Sequence, residues 1–202
     1  MAIIYFLGGK LYDFLDNTFE EKRYFQIRKT MLKDIKGLVL DAGCGTGRNF
    51  PHFSKKASVI GVDNAPKMLA QAEQRIRQSN ASIKIERMNL THLEFKNNLF
   101  DAVVATFVLC VMPKEREEKV LDELVRVAKP GARFYFLEYI YSKNPLRKIF
   151  MKLTSFLPRI LFGLHYNTTL NLVKKHSALN IEKIQYVYSD TVRLIVATKK
   201  KP

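Results

Sequence analysis

Residues 39–47 read Val39-Leu40-Asp41-Ala42-Gly43-Cys44-Gly45-Thr46-Gly47, a short apolar run that leads directly into glycines at alternate positions. Glycine suits such a turn because a Cβ atom would block the close approach of a ligand or forbid the backbone angles. Asp63 ends the next apolar run, twenty residues after Gly43. At that spacing a carboxylate can accept hydrogen bonds from both hydroxyls of a ribose. The pattern predicts a strand, a turn and a helix that bind a nucleoside-containing ligand; a tight turn without a ligand is the alternative.

Short β-rich runs and helical stretches alternate on both sides of this turn. An alternation of this kind, with nearly all-apolar central strands, predicts an α/β fold with a doubly wound sheet and helices on both faces. The short connection at Ser189-Asp190-Thr191 makes the last two strands an antiparallel hairpin, so the sheet of about seven strands is mixed. Predicted helices cover 11–35, 64–78 and 114–128, and predicted strands cover 38–40, 58–62, 83–88, 102–108, 133–138, 181–188 and 192–198.

The composition fits a folded globular protein. Of 202 residues, 47% are hydrophobic and 26% are charged, which excludes disordered and collagen-like chains. Only two cysteines are present, Cys44 and Cys110, and the longest apolar runs are too short to cross a membrane. The apolar start at 2–7 lacks a basic end and a cleavage site, so no signal peptide is expected. A cytoplasmic protein is the expectation.

The excess of positive charge is unevenly distributed. The formal net charge is +15, and residues 141–202 hold twelve basic and only two acidic side chains. Such a total suggests nucleic-acid binding. However, the chain contains no recognisable RNA-binding module and no basic-aromatic stacking platform, so nucleic acid is not the favoured partner.

The glycine spacing distinguishes two kinds of nucleoside site. Dinucleotide sites carry G-x-G-x-x-G, whereas this chain has G-x-G-x-G. Here the sequence resembles the class I S-adenosylmethionine-dependent methyltransferases, which have a Rossmann-like fold, and the likeness covers nearly the whole chain. Besides the glycine turn and Asp63, the motifs in family order are "APKMLAQA" at 65–72, "FDAVV" at 100–104 and "LDELVRVAKPGARFYFLEY" at 121–139.

The resemblance implies a set of cofactor contacts. Asp41 and the backbone of Gly43 and Gly45 would lie along the methionine moiety, and Asp63 would hold the ribose. Asn89 stands where the family commonly has Asp, and an amide oxygen can still accept from the adenine amino group. The other implied contacts are Asn64 and Met68 beside the adenine, Leu90 at its edge, Thr106 and Phe107 at the methionine end, and Tyr12 as a cap, with a core aromatic as the alternative for Tyr12.

Within this superfamily the chain is similar to the branch of ubiquinone/menaquinone, phospholipid N- and membrane-associated thiol methyltransferases. The motifs "TFVLCVMP" at 106–113 and "FYFLEY" at 134–139 carry this likeness; Cys110-Val111 replaces the branch's frequent His pair. The branch implies a hydrophobic acceptor, in-line displacement at the methyl group, S-adenosylhomocysteine as product and no metal. Acceptor-side candidates are Glu138, Tyr139, His165 and Tyr166, and no catalytic residue is assigned.

Apolar residues recur every three or four positions from Leu146 to Leu164, opposite Arg147, Lys148, Lys152 and Arg159. This predicts an amphipathic helix, which Pro158 interrupts. A helix of this type suits an anionic membrane surface; the alternative is that its apolar side packs on its own domain.

Together these features predict one methyltransferase domain over 1–202. It comprises an N-terminal helical cap (1–36), a cofactor-binding core (37–140), a basic amphipathic substrate or membrane region (141–180) and a closing β-hairpin (181–199). The expected activity is methylation of a lipid, with a phosphatidylethanolamine-type amine favoured over a quinone precursor or a thiol. The expected location is cytoplasmic, or peripheral on the inner membrane face. A non-enzymatic membrane-binding protein with a vestigial nucleotide fold is the remaining alternative.

Overall fold

The computed structural model describes residues 24–156, 159–160, 164 and 169–201. In this part of the chain the helices are α1 (Phe25–Leu32), α2 (Pro66–Ile76), α3 (Lys114–Val127), α4 (Pro145–Thr154) and α5 (Thr169–Lys175). The strands are β1 (Gly37–Ala42), β2 (Ala57–Asp63), β3 (Ser82–Arg87), β4 (Phe100–Thr106), β5 (Ala128–Tyr139), β6 (Leu179–Tyr188) and β7 (Val192–Lys199).

The strands form one sheet in the order β3-β2-β1-β4-β5-β7-β6. The first five pair in parallel, and β7 lies antiparallel between β5 and β6. This confirms the predicted mixed, doubly wound sheet. The chain order reverses between β1 and β4, and at such a point ligands bind outside the carboxyl ends of the strands. The topology therefore brings Ala42, Asp63, Thr106 and Tyr139 to one edge of the sheet.

Two apolar layers cover the two faces of the sheet. Successive residues of a strand point to opposite faces, so Leu40 and Val103 belong to one layer, while Val39 and Val104 belong to the other. Helices α3 and α5 pack on the first layer. Helices α1 and α2 pack on the second.

The junction between α3 and β5 differs from the expectation. The helix ends at Val127, close to the predicted stop, but Lys129-Pro130-Gly131 belongs to β5 and is not a separate turn. A register shift between Phe100 and Ala102 accommodates the longer strand. Lys199 Nζ donates to the carbonyls of Val125 and Ala128 at 2.8 and 2.7 Å. Lys199 of β7 therefore donates hydrogen bonds to carbonyl groups at the end of α3 that have no partner within the helix.

The amphipathic segment predicted from Leu146 contains a helix at its start. Helix α4 ends at Thr154, and a turn at Ser155 separates it from helical residues at 156 and 159–160. Pro158 lies outside the described residues. Helix α5 was not anticipated from the sequence. Among the described residues no helix has the length and apolar character needed to span a bilayer.

Candidate cofactor and acceptor site

The glycine turn follows β1 at the edge of the sheet where its order reverses. Gly43 and Gly45 adopt φ values of 66° and 55°, which side-chain-bearing residues rarely take. A Cβ atom on Gly43 would lie 2.7 Å from Val108 Cγ2, whereas one on Gly45 would meet nothing within 4 Å. Gly43 is thus needed for packing. Gly45 faces open space that a ligand can enter.

Asp63 is fixed by the backbone at the end of β2. The amide of Gly45 donates to Oδ2, and the amide of Ala65 donates to Oδ1, both at 2.9 Å. Burial raises the pKa of this carboxyl above its ordinary value, against the lowering effect of the backbone amides. Each oxygen keeps further acceptor capacity. The carboxylate is therefore oriented to accept from a pair of neighbouring hydroxyls, as a ribose would present.

Asp41 is fully buried at the end of β1. Its Oδ1 accepts a 2.7 Å hydrogen bond from Asn49 Nδ2, while Oδ2 has no hydrogen-bond partner among the described residues. Burial raises the pKa of Asp41 to about 7, and the side chains of Asn49 and Arg28 oppose this effect. An unpaired buried carboxyl oxygen is costly. A cationic ligand group would remove that cost.

A polar network connects Asp41 to the N-terminal helix, and sequence reasoning missed it. Arg28 Nη1 donates to Asn49 Oδ1 at 2.5 Å and to Thr106 Oγ1 at 3.0 Å. Asn49 Nδ2 also donates to Thr106 Oγ1, at 3.1 Å. Arg28 and Asn49 are almost completely buried. The only signal in the sequence was that Asn49 follows the last glycine by two residues, which no motif covered.

An aromatic cluster, defined as Tyr24, Phe107, Tyr139 and Tyr188, adjoins this network. Phe107 has a φ of 57° and stacks on Tyr139 with ring centroids 4.5 Å apart. The Tyr24 and Tyr139 hydroxyl oxygens are 2.5 Å apart. Arg28 lies over the Phe107 ring at 5.7 Å. The structure therefore brings the predicted residues Phe107 and Tyr139 together, beside the network that holds Asp41.

The residues expected around the adenine lie in the segments that follow β2 and β3, including the first turn of α2. Asn64 is exposed and its carbonyl accepts from Arg87 Nε at 3.3 Å. Met68 and Leu90 are buried. Asn89 is exposed, and its Oδ1 accepts a 3.0 Å hydrogen bond from the Thr91 amide. That oxygen therefore already has a backbone partner.

Glu138 is a buried ion-pair partner and not a solvent-facing group. Its Oε1 accepts from Arg193 Nε at 2.8 Å and Nη2 at 2.5 Å. Burial raises its pKa, while the Thr169 hydroxyl and Arg193 act to lower it. An arginine held at this distance restricts the carboxylate as a base. Three other predicted residues, Tyr12, His165 and Tyr166, lie outside the described residues.

Comparison with known proteins agrees with this geometry. Residues 39–131 match the family model described as a methyltransferase domain. The chain is 31% identical over 123 residues to a phosphatidylethanolamine N-methyltransferase of Cereibacter sphaeroides, covering 59% of this chain and 60% of the relative. It is 34% identical over 147 residues to a demethylmenaquinone methyltransferase of Lactiplantibacillus plantarum, covering 68% and 61%. The chain thus spans about three fifths of the length of these relatives.

A solved structure shares the fold. Magnesium protoporphyrin IX methyltransferase from Synechocystis PCC 6803, solved with bound S-adenosylhomocysteine, superposes with a TM-score of 0.64 at 21% identity. The match covers 82% of this chain and 75% of that one.

These observations define residues 39–131 as a methyltransferase domain. More particularly, the chain is similar to class I S-adenosylmethionine-dependent methyltransferases of the branch that includes the phospholipid and menaquinone enzymes.

Proposed function

We propose that the protein transfers methyl groups from S-adenosylmethionine to a lipid or other hydrophobic small molecule, and that the favoured acceptor is the amine of a phosphatidylethanolamine-type phospholipid. The observation that carries the proposal is the position of the aromatic cluster next to the polar network that holds Asp41. An apolar acceptor surface and a polar nucleoside site then share one edge of the sheet.

The residues present fit the cofactor. Asp63 would accept from the ribose hydroxyls, Asp41 Oδ2 would receive the ammonium group of the methionine moiety, and the open space at Gly45 would accommodate the chain between them. When bound, S-adenosylmethionine supplies an electrophilic methyl group activated by its own sulfonium. The protein's part is to align the acceptor and exclude water, which can account for much of the acceleration.

The groups near the acceptor surface favour a nucleophile that reacts without a strong general base. Glu138 is held by Arg193, and the thiol of Cys110 is buried with its pKa raised to about 12. Within the described part of the chain, the aromatic cluster and its polar network contain no histidine. A neutral amine or a thiolate reacts without a strong base, whereas a phenol or a ring carbon requires one. This supports an amine over a quinone precursor.

A quinone precursor is the second candidate, because the chain is similar to a demethylmenaquinone methyltransferase over more of its length. Its ring would suit the same aromatic cluster through offset or edge-to-face stacking. The two candidates differ in their products, so labelled-product analysis separates them.

The test supplies methyl-labelled S-adenosylmethionine with vesicles that contain phosphatidylethanolamine, and in a parallel reaction with vesicles that contain demethylmenaquinone. The expected result is label in N-methylated phospholipid, reduced in Asp63→Ala and retained in Glu94→Ala, a matched change at an exposed carboxylate. Label only in the quinone, or only in water-soluble products, would overturn the phospholipid proposal. Absence of any heat on titration with S-adenosylmethionine up to millimolar concentrations would instead favour a non-enzymatic role.

A further inference from the structure

Helix α4 exposes the side of its surface that a globular protein normally buries. Its apolar stripe, defined as Leu146, Ile149, Phe150, Leu153 and the following Phe156, recurs at intervals of three or four residues. Each of these side chains is between 56% and 78% exposed, and none of the residues of α4 is buried. Contiguous exposed apolar surface of this kind marks an interaction site.

The orientation of α4 is the reverse of an ordinary amphipathic helix. The half-buried residues of this segment are Met151 and Ser155, four positions apart and about half a turn away from the middle of the stripe. The side of the helix that faces the domain is therefore narrow and contains one apolar and one polar residue. Its large apolar side chains face outward.

Polar contacts hold the start of α4 in this orientation. Asp190, between β6 and β7, accepts from the Ser142 hydroxyl at 2.6 Å and the Lys143 amide at 2.7 Å, and it pairs with Arg147 at 3.1 Å. The hydrogen bond from the Ser142 hydroxyl, followed by that from the Lys143 amide, keeps the pKa of Asp190 well below its usual range. Asn144 caps the helix by accepting from the Arg147 amide at 3.0 Å. The start of the helix is thus fixed although no residue in the described part of the chain buries its apolar side.

The charge around the stripe identifies the chemistry of its partner. Lys148 and Lys152 lie on one side of the stripe, Lys143 precedes it and Arg159 follows it, and all four are exposed. No acidic residue occurs in the sequence between Glu138 and Glu182. Arg147 is already paired with Asp190. The surface that remains is apolar with a basic margin, which complements acyl chains beneath anionic headgroups.

A second copy of the chain fits this surface less well. In a two-fold symmetric contact the same patch faces itself, so Lys148 and Lys152 would approach their own counterparts without an acidic residue from this segment between them. Such like-charge contacts are unfavourable.

We propose that the apolar stripe and basic margin of α4 dock the protein on an anionic phospholipid surface, with the stripe inserted at the level of the headgroups. This interaction goes beyond the proposed methyl transfer and does not depend on the identity of the acceptor.

The sequence contains no tryptophan, so Phe150→Trp introduces a single fluorescent reporter into the stripe. Vesicles of phosphatidylcholine with phosphatidylglycerol, which contain no amine acceptor, should shift its emission to the blue, and brominated acyl chains should quench it. Pure phosphatidylcholine vesicles should produce a much weaker shift. Gln74→Trp, on the exposed side of α2, is the matched control and should not respond. An emission spectrum of the Phe150→Trp variant that the anionic vesicles leave unchanged would overturn the proposal.

Paired variants separate the stripe from the overall charge. Lys148→Gln/Lys152→Gln should weaken partitioning to anionic vesicles about 30-fold, whereas Lys174→Gln/Lys175→Gln, an equal change of charge on exposed positions of α5, should weaken it less than about threefold. Phe150→Ser/Leu153→Ser should weaken it at least about 100-fold with an unchanged unfolding temperature, because both side chains are exposed.

Equal losses in the two lysine pairs would assign binding to the net charge and overturn the role of α4. A purified dimer that Phe150→Ser/Leu153→Ser converts to monomer, without vesicle binding by the dimer, would also overturn it. Because the vesicles contain no acceptor, none of these outcomes depends on methyl transfer.

Discussion

Replacing Asp41 with Asn should remove the contribution of this buried carboxyl to the pH dependence of the free energy of unfolding. Burial raises the pKa of Asp41 from 3.8 to about 7, so between these values the folded protein keeps a proton that the unfolded chain has lost. Stability then falls as pH rises, by about 1.4 kcal/mol per pH unit. From pH 5 to pH 8 the wild-type protein should lose about 3 kcal/mol through this group, since the slope ends near pH 7.

The Asp41→Asn variant cannot ionise at this position, yet its amide oxygen can still accept from Asn49 Nδ2. Any constant cost of the buried amide N–H is the same at both pH values. The measurable quantity is therefore a difference: relative to wild type, the unfolding free energy of the variant should rise by about 3 kcal/mol from pH 5 to pH 8. Urea unfolding of both proteins at the two pH values, without cofactor, provides it.

Asp101→Asn is the matched control. The Lys129 side chain holds the pKa of Asp101 below its ordinary value, so this carboxyl is ionised in both folded and unfolded chains across pH 5 to 8. Its substitution should change stability by the same amount at both pH values. If Asp41→Asn also shows a pH-independent change, the carboxyl is not perturbed by burial and the reasoning about Oδ2 fails.

Three further changes test other contacts. Asp63→Ala should weaken S-adenosylmethionine binding by about 1.5–3 kcal/mol, the loss expected for a charge-assisted hydrogen bond; titration calorimetry measures it, and an unchanged affinity would refute the ribose assignment. Lys199→Met should lower the free energy of unfolding by about 1–3 kcal/mol, because buried carbonyls at the end of α3 lose their donor; a neutral result in urea unfolding would show that water replaces the ammonium. Asp190→Asn should speed amide hydrogen exchange over 143–150, because the clamp on Ser142 and Arg147 weakens; exchange equal to wild type would show that other contacts hold α4.

The sheet was predictable because its signals are local. Strands β1 and β2 are short apolar runs that lead into a carboxylate or glycine, and their observed ends differ from the predicted ones by two residues or fewer. The limits of β5 were less accessible, because a strand that includes Lys129, Pro130 and Gly131 depends on a register shift against β4. Propensity alone places a turn there.

The polar part of the site was not predictable in the same way. Asp41 and Asp63 occupy fixed places in a recognisable pattern, but Arg28 and Thr106 are 78 positions apart and meet only through the folded sheet. Asn49 joins them although nothing in its neighbours distinguishes it from an ordinary loop residue.

Similarly, periodicity identified the amphipathic character of α4, but not that its apolar side faces away from the domain. Orientation depends on the Asp190 contacts, which come from the far end of the chain.

The position of α4 also constrains how a lipid acceptor would reach the site. Tyr139 ends β5 in the aromatic cluster, and Pro145 begins α4 six residues later, a separation of at most about 20 Å even for an extended chain. A protein docked through α4 would therefore hold its aromatic cluster close to the headgroups, and an acceptor lipid would need to rise only partly from the bilayer.

If both proposals hold, Phe150→Ser/Leu153→Ser should raise the apparent KM for phosphatidylethanolamine in anionic vesicles in proportion to the loss of vesicle binding. The same variant should methylate a short-chain, water-soluble phosphatidylethanolamine at the wild-type rate, because no residue of the cofactor site is changed. An equal loss with the soluble lipid would mean that α4 shapes the acceptor site directly and does not serve as the membrane contact.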